Sequence, residues 1–221
     1  MLDEKHYSSR TILVVDDAPA IRESISTLLA DIGFSVRTAD NGLTALAAIR
    51  KDMPNFLLSD LNMPEMSGFE LLSVVRRRYP AIRVIAMSGS FSGNEVPSGV
   101  IADGFFGKGC SVRSLLRIIE AVGHQPPRPD HKTAASSPLW LQRNRLDPSA
   151  LPYVMIACPA CLRSFKETVS GSLTLIRETR CLHCAESICY AIADPVEWER
   201  ERPSTRSLRY VKSNQSAQSA P

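Results

Sequence analysis

Between positions 11 and 122 the chain alternates short apolar runs with longer stretches whose apolar residues recur at helical spacing. The run at 12–15 ends in Asp16 and Asp17, the pattern of a strand buried on both faces. Ile21, Ile25, Leu28, Leu29 and Ile32 then repeat every three or four residues, with Pro19 suited to a first helical turn and Gly33 to a stop. Residues 34–39 predict a second strand, and Leu43, Leu46 and Ile49 a second helix. A third strand at 56–58 delivers Asp60, and Phe69, Leu72 and Val75 mark a third helix closed by Pro80. Residues 82–86 read as a fourth strand ending near Ser88. Phe105 and Phe106 mark a fifth, followed by a helix on Val112, Leu115, Leu116, Ile119 and Val122. Residues 92–100 should hold the intervening fourth helix, which Gly93, Pro97 and Gly99 make short or irregular. Strands and helices at such intervals imply βαβ units and a parallel sheet covered on both faces. The expected class is an open α/β fold.

Beyond this region the periodicity changes. Residues 9–123 form the expected α/β domain, and 124–150, rich in Pro and Ser, a flexible linker with one short helical turn around Trp140. Residues 151–193 regain order around cysteines. Residues 194–221 turn charged and then Ser/Gln/Ala-rich, as in a disordered tail. The apolar runs are too short to cross a bilayer and the first residues are polar, so no membrane role and a cytoplasmic location are expected. Charge divides unevenly, with a net of −1 over 1–122 and +4 over 123–221. The second half is thus mildly basic, well short of a nucleic-acid-binding stripe.

In open α/β sheets, chemistry gathers at the carboxyl ends of the strands. Asp16, Asp17 and Asp60 all end strands, so one crevice receives three carboxylates. Such like charges repel unless a cation neutralises them, and all-oxygen ligation suits Mg²⁺. Ser88 and Lys108 fall at the same rim, which makes a site suited to phosphoryl transfer. Singly, the aspartates could be a turn or a helix cap and Lys108 a surface lysine. Their convergence on one edge favours the joint reading.

Val14-Val15-Asp16-Asp17, Leu58-Ser59-Asp60-Leu61-Asn62-Met63-Pro64 with Gly68, Met87-Ser88-Gly89 and Phe105-Phe106-Gly107-Lys108 resemble the receiver domain of two-component response regulators, the CheY-like family. The resemblance covers Thr11 to Val122. It implies a five-stranded, doubly wound, flavodoxin-like sheet. It further implies that Asp60 accepts a phosphoryl group from a sensor histidine kinase, and that Asp17, Asp60 and the backbone carbonyl of Asn62 ligate Mg²⁺, with Asp16 acting through water. Ser88 would bond the phosphoryl oxygens, Lys108 would pair with their charge, and Ser88 with Phe105 would form the switch pair. A receiver catalyses only its own phosphorylation and dephosphorylation, so no separate enzyme activity is expected. Gly109 stands where the family has proline, which predicts a trans peptide after Lys108.

Cys158-Pro-Ala-Cys161 and Cys181-Leu-His-Cys184 form two Cys-x-x-Cys pairs separated by 19 residues. Two such knuckles supply four sulfurs for tetrahedral Zn²⁺, and residues 172–176 and 188–192 alternate like short strands, with Gly171 at a turn. The arrangement looks like a zinc ribbon, a second, small β domain with a closed and therefore structural site. A redox dithiol pair is the alternative, but no thioredoxin-like pattern surrounds either motif. His183 reads as a surface residue, Cys189 as a buried structural thiol, and Cys110 as packing near or capping the last helix of the α/β domain.

The expected role is a phosphorylation-controlled regulator with an unknown downstream target. Two rivals concern its output. One is a DNA-binding transcriptional regulator using Arg163, Lys166, Arg177 and Arg180, although no helix-turn-helix follows the linker. The other is an adaptor, independent of phosphorylation, anchored by Trp140 or Trp198. Protein binding is preferred over nucleic acid.

Overall fold

The computed structural model describes residues 10–89, 101–125, 138–142, 153–169, 175–193 and 209–212. Its first part runs β1 (Thr11–Val15), α1 (Pro19–Asp31), β2 (Ser35–Ala39), α2 (Gly42–Lys51), β3 (Phe56–Asp60), α3 (Gly68–Arg78), β4 (Arg83–Ser88), β5 (Gly104–Gly107) and α4 (Val112–His124). The strands pair in parallel in the order β2-β1-β3-β4-β5, the doubly wound arrangement. Strand alternation sends Ile12, Val14, Phe56, Leu58, Ile85, Met87 and Phe106 to one face, where α1 and α4 cover them through Leu29, Leu115, Ile119 and Val122. Leu13, Val15, Leu57, Val84, Ala86 and Phe105 point the other way, beneath α2 and α3. The fourth helix expected at 92–100 lies outside the described residues.

Local chemistry sets the helix starts. Pro19 opens α1, Asn41 caps α2 by accepting the Thr44 N–H, and Ser67 and Ser111 cap α3 and α4. Ser111, not Cys110, caps α4, while Cys110 is exposed and lines a groove with Val112 and Leu115 of that helix.

The second part is built from strands. β7 (Tyr153–Ala157) and β8 (Ser164–Thr168) form an antiparallel hairpin whose loop carries Cys158 and Cys161. β9 (Leu175–Arg180) and β10 (Ser187–Ala193) form another, carrying Cys181 and Cys184. The strand expected at 172–176 is observed later, over Leu175–Arg180, and Gly171 lies outside the described residues.

Two expectations about connection are corrected. The segment 124–150, read as a flexible linker with a helical turn near Trp140, contributes strand β6 (Leu139–Gln142). β6 pairs in parallel with β10 and packs on α3. Leu139 and Leu141 are fully buried there, and burial overrides the Pro/Ser-rich context. The tail 194–221, read as disordered, contributes β11 (Arg209–Lys212) at the edge of β9. Trp198 and the side chain of Trp140 lie outside the described residues.

The cysteine-bearing part is accordingly not a separate body. One hydrophobic cluster runs from Leu13 and Leu57 through Leu71, Leu72, Val74 and Val75 to Leu139, Leu141, Val154, Ile156, Phe165, Ile188 and Tyr190. Helix α3 is enclosed between the parallel sheet and the hairpins, with Gly68 and every residue from Glu70 to Arg76 buried. Its apolar residues occupy two faces, as a helix covered on both sides requires.

Candidate functional site

The parallel sheet brings its acidic strand ends together. Ligand oxygens of Asp16, Asp17 and Asp60 lie within 4.8 Å of one another, Asp16 and Asp60 buried and Asp17 exposed at the mouth. Lys108 bridges the buried pair, its Nζ 2.8 Å from Asp16 Oδ2 and 2.9 Å from Asp60 Oδ2. Burial pushes the Asp60 carboxyl up, against Lys108 and the Asn62 backbone N–H, which pull it down. Burial also works to lower the Lys108 ammonium, but hydrogen bonds to Asp16 and Asp60 outweigh it and hold the pKa above its ordinary value. The lysine is therefore a fixed cation.

With Lys108 charged and all three aspartates ionised, the cluster would still carry a net charge of two negative. That charge, the all-oxygen donor set and the open position at Asp17 fit one divalent ion of the Mg²⁺ type.

The remaining predicted residues lie on β4, β5 and the loop after β3. Ser88 ends β4, fully buried, and its backbone C=O accepts the Lys108 N–H at 2.8 Å. This bond fixes the end of β5 against β4. Gly109 and Cys110 both donate to the Gly107 carbonyl at 3.0 Å, so a tight turn orients Lys108 where the family uses proline. No cis peptide occurs among the described residues. Phe105 is 1 % exposed and packs among the core residues beneath α2 and α3. Asn62 is exposed on the loop after β3.

That loop has no slack. Gly68 sits so close to β3 that a Cβ there would lie 1.9 Å from the Asp60 carbonyl oxygen, and its N–H donates to the Leu61 carbonyl at 3.0 Å. Only glycine fits. The start of α3 is thereby pressed onto the backbone that carries Asp60.

The four paired cysteines also converge. Their sulfurs lie within 4.8 Å of one another, with Cys158–Cys184 and Cys161–Cys181 each at 3.6 Å. Zinc–sulfur bonds of about 2.3 Å in a tetrahedron place sulfurs about 3.8 Å apart, so the cluster has the size zinc requires. The two knuckles share one backbone. In each, the first cysteine's carbonyl accepts the N–H four residues on (Leu162 at 2.8 Å, Ala185 at 2.9 Å). Its N–H donates to the carbonyl five residues on (Arg163 at 3.0 Å, Glu186 at 2.9 Å). Burial pushes the Cys158 thiol up to about 12. Burial acts the same way on Cys181, but N–H groups of His183 and Cys184 outweigh it and bring that thiol down to about 6. His183 is exposed and Cys189 is half-buried near Arg77.

Two functional neighbours were missed in the sequence. Arg22 donates from Nη1 to the Asp16 backbone carbonyl at 2.6 Å, bracing the acidic strand end from α1. Glu70, 3 % exposed, accepts the Ala157 N–H at 2.8 Å, joining α3 to the residue before Cys158. Burial pushes its carboxyl up to about 8, against the Ala157 bond. A sequence signal existed for this contact: Leu71-Leu72 and Val74-Val75 make α3 apolar on two faces, more than one sheet can cover.

Part of the chain is similar to known proteins. The profile of the response regulator receiver domain matches residues 12–120. The probable transcriptional regulatory protein TcrX of Mycobacterium tuberculosis is 33% identical over 94 residues, 42% of this chain and 40% of that protein. The response regulator MprA of Mycobacterium ulcerans is 30% identical over 139 residues, 62% of this chain and 60% of that protein. The chain thus spans about half the length of these curated relatives. The solved structure of chemotaxis protein CheY4 of Vibrio cholerae is 31% identical and superposes with a TM-score of 0.46, covering 51% of this chain and 98% of that one. Three acidic strand ends, a bridging lysine and a family match over the same span identify residues 12–120 as a response regulator receiver domain.

Proposed function

We propose that Asp60 is the phosphoacceptor of this receiver, with a sensor histidine kinase as donor and Mg²⁺ held by Asp16, Asp17, Asp60 and the Asn62 carbonyl. The observation that carries this reading is the single ammonium of Lys108 shared between Asp16 and Asp60 inside a three-carboxylate cluster. An Asp60 carboxylate oxygen attacks phosphorus, the bond from phosphorus to the donor nitrogen breaks, and the donor imidazole keeps the electron pair. Bound Mg²⁺ supplies charge neutralisation for the transferring group. Lys108 pairs with the new phosphoryl charge, and Ser88 donates its hydroxyl to a phosphoryl oxygen. Phe105, on the strand beside Ser88 and in register with Ala86, completes the switch pair. An apolar groove between α1 and α4, lined by Ile21, Ile25, Leu28, Phe106 and Leu115, opens beside Lys108 and gives the donor protein its approach.

The cysteine cluster reads as a structural zinc ribbon. The matched knuckle backbones and the sulfur spacing support zinc over redox chemistry, since a dithiol couple needs only one pair. Among the described residues no helix is long and apolar enough to cross a membrane, and a cytoplasmic location accords with six unpaired cysteines. For the output, a protein target is preferred to DNA. Arg177, one of four basic residues suited to nucleic acid, hydrogen-bonds Tyr190 and is partly withdrawn from the surface.

The test is labelling by acetyl phosphate with Mg²⁺. Asp60→Asn is expected to abolish it while leaving the fold intact, and persistent labelling would refute the assigned acceptor.

A further inference from the structure

The contact between Glu70 and Ala157 joins two sites that the sequence places nearly a hundred residues apart. On one side, the Asp60–Leu61 backbone is pressed directly onto Gly68, with no room for a methyl group between them. Two residues on, Glu70 lies in the first turn of α3, its backbone N–H held by the Ser67 hydroxyl. On the other side, Ala157 is the residue before Cys158, whose own N–H and C=O are both used to close the first knuckle. Every step of this path is a covalent bond or a contact within hydrogen-bonding range, and both ends are buried. The surrounding seat is apolar and continuous, from Leu71, Leu72, Val74 and Val75 to Leu139, Val154 and Ile156.

A connection this tight transmits displacement, because packed interiors shift between discrete arrangements more readily than they stretch. Drawing the Asp60 carboxylate and the Asn62 carbonyl toward a cation and a phosphoryl group pulls on the loop that abuts Gly68. The ribbon is seated on α3 through the same helix, so a shift of its first turn reaches that seat.

We propose that Glu70 is a positioning residue that couples phosphorylation of Asp60 to closure of the Cys158 knuckle, so that phosphorylation loosens the ribbon on α3. The linkage is reciprocal, so an opened knuckle shifts Asp60 toward its phosphorylated state. The inference rests on Asp60 as acceptor; it does not need the cysteine cluster to hold zinc.

The experiment uses the full chain with acetyl phosphate and Mg²⁺. Metal content is measured first, and alkylation of Cys158 by iodoacetamide is then followed by peptide mass spectrometry. Phosphorylation is expected to speed Cys158 alkylation about fivefold or more, the lower end of ordinary coupling. Asp60→Asn should show no response to acetyl phosphate. Glu70→Ala should bring the ratio near one while Asp60 still labels, and Glu70→Gln, whose amide oxygen still accepts the Ala157 N–H, should restore it. An unchanged or slower rate in the phosphorylated wild-type chain overturns the proposal, whatever the variants do. The zinc reading fails separately: a chain without zinc that still shows the phosphorylation-dependent, Glu70-dependent rate keeps the coupling. A chain with one zinc and no such dependence loses it.

Discussion

Leu162 and Ala185 adopt the same left-handed backbone conformation, with φ of 58° and 59°, each one residue past the second cysteine of its knuckle. Non-glycine residues pay about 1–2 kcal/mol for this geometry, so its repetition at equivalent positions marks a conformation imposed by the knuckle.

Ala185 is exposed and therefore tests that strain without disturbing packing. Ala185→Gly should leave stability level or raise it by several tenths of a kcal/mol, and Ala185→Val should lower it by about 1–2 kcal/mol. Thermal unfolding of the metal-loaded chain gives the comparison. Equal midpoints for the two variants would show that the backbone is not held there.

Removal of the proposed zinc should reach beyond the two cysteine hairpins. Since hairpins and α3 share one core, chelation is expected to unfold residues 153–193 and lower the melting temperature of the receiver as well. Metal analysis should give one zinc per chain, lost in Cys158→Ser. Hydrogen exchange then reads α3 directly, and a receiver indifferent to chelation would mean that the seat contributes nothing.

Lys108 neutralises part of the acidic cluster and, in the role proposed for it, also pairs with the phosphoryl charge, so its removal should split two readouts. Lys108→Met leaves three carboxylates without their ammonium. Mg²⁺ affinity by calorimetry should rise, while the rate of labelling by acetyl phosphate falls by about tenfold or more. Parallel changes in both would contradict the assigned roles.

Arg76 and Asp103 form an ion pair of 2.7 Å with both side chains nearly inaccessible, and Asp103 also accepts the Val84 N–H at 2.8 Å. Removing one partner strands a buried charge. Arg76→Ala should cost about 3–5 kcal/mol in urea unfolding, and a loss below about 1 kcal/mol would show that the pair is solvated.

Glu70 gives stability a pH dependence of known sign. Its carboxyl is pushed from an ordinary 4.5 up to about 8, so the folded chain retains a proton that the unfolded chain releases. The corresponding stabilisation is complete below 4.5 and lost as pH rises through 8. Between pH 6 and 9 the melting temperature of the wild type should therefore fall relative to Glu70→Gln. Parallel curves would place the titration elsewhere.

Much of the molecule was written in its local pattern. Buried parallel strands read as short apolar runs, and the rule that gathers side chains at their carboxyl ends brought Asp16, Asp17 and Asp60 together, with Lys108 against them. The two Cys-x-x-Cys pairs were equally plain, because each knuckle is closed by bonds within a few residues. What only the tertiary structure decided is the union of the two parts. The pairing of Leu139–Gln142 with β10, the seat on α3 and the Glu70–Ala157 bond join residues far apart in sequence. Parallel pairing and helix burial at such separation leave no period in either partner, and the residues between them read as a tether. The second apolar face of α3 was the one local trace, and it says that something covers the helix without saying what.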